Sequence, residues 1–213
     1  MTSNRKTIVY IDGFNLYYGA VRNTPYKWLN PVDLCSKILT RNRIVKIKYF
    51  TAKVTSRAKD PDQGIRQETY LRALRTIPNL EIFYGHFLSH DVWMKLSNPP
   101  SKGPEFVQVV KTEEKGSDVN LASHLINDAH NDAFDVAVII TNDSDLVEPI
   151  RIVRHEIGLT VGVINPHEKP AYALVSAATF IRKIRPNLLK TCQFPETLTD
   201  EKGTFSKPPL WNI

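Results

Sequence analysis

The 213-residue chain is 42% hydrophobic and 23% charged, an ordinary globular composition with enough length for one large domain and its core. Its net charge of +6 points to an anionic partner, nucleic acid being the commonest, against the plainer reading of a soluble protein with a basic surface. Only Cys35 and Cys192 are present, in no metal or redox spacing, and no apolar run approaches about 18 residues; we therefore expect a soluble cytoplasmic protein without a disulfide framework.

Thr7 to Ile11 reads as the first strand, and Asp12-Gly13-Phe14-Asn15 as the turn that leaves it for a helix beginning at Leu16. Asn30 followed by Pro31 has the pattern of an N-cap and a first-turn proline, predicting a helix to about Leu39. Ile44 to Ala52 is a strand with interleaved lysines. Asp60 to Gln63 opens a third helix through Ile77, with Arg66, Arg72 and Arg75 expected on a solvated face. Leu80 to Leu88 reads as one strand. Ser89 to Pro104 is an inserted excursion whose ends, Val92 to Leu96 and Phe106 to Val110, can pair as a hairpin.

Ser117 to Ala129 has helical spacing at Leu121, Ala122, Leu125 and Ile126. Val136 to Ile140, five apolar residues in a row, reads as a strand buried on both faces. Thr141-Asn142-Asp143-Ser144-Asp145 breaks that run with turn and capping residues, and Leu146 to His155 is helical again. Thr160 to Ile164 is a strand, Ala171 to Ala178 a short helix, and Phe180 to Ile184 a last strand. Beyond Pro186 the periodicity fades. We expect one domain over residues 1–186 and a tail over 187–213 packed on it. Strands alternating with helices imply an α/β fold with a mostly parallel sheet.

Carboxylates then fall at strand ends: Asp12 after the first strand, Asp143 and Asp145 after the central one, and Asp118 at a helix start. If the first and central strands are neighbours, these acids meet at the edge where open α/β sheets bind ligands. Such a cluster persists when a cation neutralises it, and hard oxygen ligands without His or Cys point to Mg²⁺ or Mn²⁺. Each acid also fits a structural role: Asp118 and Asp145 as helix caps, Asp145 with Glu148 as a capping box, Asp12 before Gly13 as a turn residue. No Walker A sequence, no Gly-x-Gly-x-x-Gly after the first strand and no EF-hand loop is present. Phe14, two residues after Asp12, stands where a haloacid-dehalogenase-like phosphatase would want a second aspartate.

Tyr10-Ile-Asp-Gly-Phe-Asn-Leu-Tyr18, Lys115-Gly-Ser-Asp-Val-Asn-Leu121 and Thr141-Asn-Asp-Ser-Asp-Leu146 together resemble the NYN domain family, relatives of the PIN-like nucleases, over roughly Lys6 to Ile184. The Cys192-Gln-Phe-Pro tail and the final Pro-Pro-Leu-Trp211 resemble a bacterial branch of it. The resemblance implies a Rossmann-like α/β/α sandwich and a Mg²⁺- or Mn²⁺-dependent ribonuclease. Asp12, Asp118 and Asp143 match the metal-binding acids, Asn15 the asparagine beside the first acid, and Asp145 a further acid. His124 departs from the aspartate that many relatives carry, which leaves a weakened second metal site and a histidine proton shuttle as two open consequences. The implied partner is RNA, single-stranded or structured; Lys53, Arg57, Lys111 and Lys115 are candidates to guide its backbone, and Tyr17, Tyr18 or Trp93 to stack its bases. The rival from another class is a module on the same fold that holds RNA or protein without cutting.

Overall fold

Val136–Ile140 forms the fully buried centre of a six-stranded sheet. The computed structural model describes residues 5–56 and 60–211, so the candidate Arg57 lies outside the described residues. The sheet is built from β1 (Arg5–Asp12), β2 (Asn42–Thr51), β3 (Leu80–Tyr84), β6 (Val136–Ile140), β7 (Thr160–Asn165) and β8 (Phe180–Lys183) in the order β3-β2-β1-β6-β7-β8. Every neighbouring pair is parallel. The remaining strands, β4 (His86–Lys95) with β5 (Phe106–Lys115) and β9 (Thr197–Asp200) with β10 (Gly203–Ser206), form two antiparallel hairpins.

Side chains of successive strand residues alternate between the two faces, and the core divides accordingly. Val9, Ile11, Val138 and Ile140 pack on one face with Leu34, Leu71 and Leu74, from α2 (Pro31–Ile38) and α3 (Gln63–Arg75). Ile8, Tyr10, Ala137 and Ile139 pack on the other with Leu121 and Leu125 of α4 (Ser117–His130) and Ile150 of α5 (Val147–Arg151). Both faces are covered, which is why the central strand reads as an unbroken apolar run. The mostly parallel sheet expected from the alternation of elements, and the α/β/α sandwich implied by the resemblance, are the observed fold.

The sheet grows outward from β1 through β2 to β3, and the chain then returns through α4 to place β6 on the other side of β1. This reversal of strand order lies between β1 and β6, where Ile11 pairs with Ile140. Crevices at such switch points, outside the carboxyl ends of the strands, are where ligands bind.

Four local expectations resolve differently. Leu80 to Leu88 is two strands: β3 ends at Tyr84, Gly85 turns the chain, and β4 leaves the sheet. Glycine is required there, because an added Cβ would lie 2.3 Å from Glu114 Oε1 and 2.5 Å from the Lys115 carbonyl. The hairpin is longer than its apolar ends suggested, pairing His86 with Lys115 through Lys95 with Phe106. Leu146 to His155 is a composite of a 3₁₀ turn (Ser144–Leu146), α5 and a π turn (Ile152–Glu156). Arg72 is not merely solvated: its guanidinium grips Asp200 of the tail at 2.7 and 2.6 Å and lies 4.1 Å from the centre of the Phe205 ring.

The tail adds α7 (Pro186–Thr191) before the β9–β10 hairpin. Leu189, Cys192 and Phe194 enter the first core layer, and the buried Trp28 donates from Nε1 to the Pro195 carbonyl at 2.8 Å. Among the described residues no helix is long and apolar enough to cross a membrane.

Candidate active site

Asp12 is the last residue of β1 and is 4% exposed. It caps the short helix α1 (Gly13–Leu16), accepting from the Asn15 backbone N–H at 2.9 Å through Oδ1. Its other oxygen accepts from Asn15 Nδ2 at 2.8 Å and from Thr141 Oγ1 at 3.1 Å. Gly13 lets α1 lie close against β2, since a Cβ there would stand 2.7 Å from the Tyr49 ring and 2.8 Å from the Phe50 carbonyl. Asp12 therefore caps a helix while its carboxylate also lines the groove at the end of the sheet.

The end of β6 is tied to the end of β1 through the same groups. Asn15 Oδ1 accepts from the Asn142 backbone N–H at 3.1 Å, and Thr141 Oγ1 accepts from the Asp143 N–H at 3.0 Å. Asp143 in turn caps the 3₁₀ turn, accepting from the Asp145 N–H at 3.0 Å. The cap is thus Asp143, and the alternative of an Asp145–Glu148 capping box is not what forms. Asp145 is exposed beside the cluster.

Asp118 arrives from a different element. Gly116, at φ +94°, turns the chain from β5 into α4 and puts Asp118 in the first helical turn. Glu114 fixes that turn by accepting from the Ser117 N–H at 3.1 Å and from its hydroxyl at 2.8 Å. Asp118 does not cap the helix, and among the described residues it accepts no hydrogen bond and joins no ion pair.

Asp12, Asp118 and Asp143 each bring a carboxylate oxygen within 4.8 Å of the other two. Burial raises the Asp12 carboxyl above its usual range, with Asp143 adding to the effect and the bonds from Asn15 and Thr141 opposing it. Asp118 is pushed up to about 6, first by burial and then by the charges of Asp12, Asp143, Glu114 and Asp145. Like charges gathered this closely disfavour ionisation unless a cation joins them. The donor set is entirely carboxylate oxygen, which suits a hard divalent ion of the Mg²⁺, Mn²⁺ or Ca²⁺ type better than zinc or a two-histidine iron centre. The cluster opens into a cavity of about 470 Å³ that Phe14, Tyr18, Phe87 and Glu114 also line.

His124 stands apart from this cluster. Its Nδ1 lies 3.2 Å from Lys48 Nζ, and its ring packs 4.0 Å from that of Phe83. An ammonium only donates, so Nδ1 accepts and the ring proton sits on Nε2. Burial, then the Lys48 charge, lowers its pKa. Lys48 also pairs with Asp128 at 2.6 Å, and Asp128 accepts from the buried Tyr10 hydroxyl at 2.6 Å. His124 belongs to a polar network under α4.

The candidate cations lie at the surface. Lys53 approaches Glu68 at 3.8 Å, while Lys111 and Lys115 both reach Glu113, at 2.8 and 3.5 Å. Tyr18 and Trp93 are 52% and 68% exposed, and Tyr17 is half-buried.

The NYN domain profile matches residues 6–185, most of the chain. The chain belongs to the NYN domain family. It is also 33% identical to 6-hydroxy-3-succinoylpyridine 3-monooxygenase HspA of Pseudomonas putida, an alignment covering 97% of this chain and 75% of that protein. A crystal structure of a protein of unknown function from Vibrio parahaemolyticus shares the fold with a TM-score of 0.54 at 16% identity, over 86% of this chain and 94% of that one. This NYN domain thus combines a nuclease-like fold with an acid cluster suited to a divalent metal.

In the sequence Thr141 and Asn142 read only as turn residues, and Glu114, Phe14 and Phe87 have no site role. For Thr141 a signal existed, its position directly after the central strand. Glu114 and Phe87 carry none, because only the fold of the β4–β5 hairpin brings them to the groove.

Proposed function

We propose that this NYN domain hydrolyses RNA phosphodiester bonds, using Mg²⁺ or Mn²⁺ held by Asp12, Asp118 and Asp143. The observation that carries the reading is the convergence of these acids, from three elements, at the switch point of the sheet. A divalent ion bound there neutralises the carboxylates, makes water more acidic and offsets charge on the phosphate oxygens. Asn15 and Thr141 hold Asp12 with its oxygens turned to the groove, and the Asp145 N–H holds Asp143. The Asp145 carboxylate, exposed and close enough for its charge to act on Asp118, orients ligands or water together with Asn15. Lys53, Lys111 and Lys115, with Arg57, guide the RNA backbone; exposed, solvent-screened pairs such as Lys111–Glu113 hold their lysines weakly and so yield readily to a phosphate. RNA as partner fits the net charge of +6, and two free, buried cysteines fit a reducing cytoplasm.

The test is cleavage of an end-labelled single-stranded RNA with Mn²⁺, Mg²⁺ or EDTA, by wild type and Asp143→Asn. Metal-dependent cutting that disappears in the variant is expected. RNA bound but uncut by both proteins would transfer the reading to a binding module.

The name of the Pseudomonas relative supplies a second reading, oxygen insertion into a hydroxypyridine. One observation favours it: a cavity of about 530 Å³ with aromatic walls lies beside the acid groove. Such a reaction consumes dioxygen and two electrons from a nicotinamide or flavin reductant. Oxygen uptake dependent on 6-hydroxy-3-succinoylpyridine, with no cutting of RNA, would establish it in place of the first.

A further inference from the structure

The second cavity carries an assignment of its own. Phe14, Tyr18, Val54 and Gln63 line both it and the acid groove, so the two are contiguous. Its volume of about 530 Å³ lies in the range of small-molecule sites. Flat rings wall it: Tyr17, Tyr70 and Trp211 join Phe14 and Tyr18, with the Tyr70 and Trp211 centres 6.1 Å apart. The Tyr70 hydroxyl is spent on the Leu29 carbonyl at 2.9 Å, leaving its ring as wall.

Polar groups are few and placed at the edge. The Gln63 side-chain amide forms no hydrogen bond among the described residues, leaving a donor and an acceptor at the junction of the two cavities. Gln67, its neighbour, is by contrast fully used, accepting from the Val54 N–H and donating to the Ala52 carbonyl, both at 2.8 Å. Arg66 is neutralised by Asp60. Arg22 and Lys27 form no ion pair among the described residues, and the Arg22 guanidinium lies 5.2 Å from the centre of the Tyr18 ring. The cavity therefore offers ring faces, one amide that both donates and accepts, and two cations not neutralised by carboxylates. Amide side chains read base edges by paired donor and acceptor bonds, and aromatic faces stack any base.

We infer that this cavity is a nucleotide subsite. It takes one nitrogen heterocycle turned out of a strand whose adjoining phosphate lies at the acid cluster, with Gln63 reading the base edge and Arg22 and Lys27 meeting a flanking phosphate. The inference rests on the ribonuclease reading, and makes that enzyme selective for the base beside the cut.

The test is calorimetric titration of the full chain in EDTA with each of the four nucleoside 5′-monophosphates, with inorganic phosphate and with nicotinate, a free heteroaromatic acid. We expect one mononucleotide to bind at least about tenfold more tightly than phosphate or nicotinate, and Tyr18→Ala to weaken it about tenfold. Gln63→Ala should flatten the preference among the four bases. Both side chains lie at the cavity edge, and circular dichroism checks that the variants fold. Nucleotides no tighter than phosphate, nicotinate as tight as any nucleotide, or affinities untouched by both variants would each overturn the assignment. Because metal is absent, the two readings fail separately: mononucleotide binding without RNA cutting removes the ribonuclease and keeps the pocket, and cutting without such binding does the reverse.

Discussion

Replacing Asp118 by asparagine removes one charge from the acid cluster while sparing every hydrogen bond formed among the described residues. The cluster oxygens lie within 4.8 Å of one another, so each like-charge pair repels by about 3.5 kcal/mol at an effective dielectric of about 20. Water in the open groove screens this repulsion and reduces the net relief on substitution to roughly 1–3 kcal/mol, and near pH 8 Asp118, its pKa pushed up to about 6, is ionised and feels it in full. In EDTA near pH 8 the variant should therefore melt higher than wild type, by roughly 2–10 °C for a chain of this size. Added Mn²⁺ should reverse the order. A site-bound ion at about a hundred times its Kd stabilises the native state by about 2.7 kcal/mol, and the variant lacks the third ligand. Thermal melts of both proteins with EDTA and with Mn²⁺ make the comparison. A variant less stable than wild type in EDTA, or a wild type indifferent to the ion, would refute the reasoning that these acids are held together at a cost for the sake of a cation.

Further outcomes follow from the same geometry. Because the folded protein holds a proton on Asp118 up to about pH 6, whereas an unfolded aspartate releases it near pH 3.9, metal-free stability should gain from this group as pH falls from about 6 towards 4. Over the same window Mn²⁺ affinity should decline, and a Kd flat between about pH 5 and 8 would contradict it. Asn15→Ala unties Asp12 from Asn142 and should weaken metal binding about 10–100-fold with the fold retained, read by titration and circular dichroism. Lys48→Met leaves the buried Asp128 carboxylate without its cation and should cost about 3–5 kcal/mol in urea unfolding; a loss below about 1 kcal/mol would show the pair to be dispensable. His124→Asn should leave the RNA cleavage rate within about threefold, since the ring faces Lys48 and Phe83, and a hundredfold loss would restore the proton-shuttle role of general acid–base catalysis. His124 itself should contribute stability that is fully present above about pH 6.5 and is lost as pH falls below that value through the lower folded pKa, because burial and Lys48 depress it.

Much of this protein is determined by local sequence. Val136–Ile140 could be read as a twice-covered strand because five apolar side chains in succession have no solvent face to serve. Asn30 and Pro31 start α2 where the N-cap chemistry puts them, with Asn30 Oδ1 accepting from Val32 and Asp33. The acids that meet were also visible singly, since strand ends in a parallel sheet share one edge. What only tertiary structure decided was which neighbours each side chain acquired. Asp118 joins Asp12 and Asp143 because β5 and Gly116 aim α4 at the switch point, a consequence of chain path that no window of residues encodes. His124, six residues along the same helix, turns instead to Lys48 of β2, and Arg72 to Asp200, partners 76 and 128 residues away. The aromatic cavity likewise joins the first helix, α3 and the tail. Periodicity reports whether a side chain is buried; only the folded path reports beside what, and at a polar site the partner sets the chemistry.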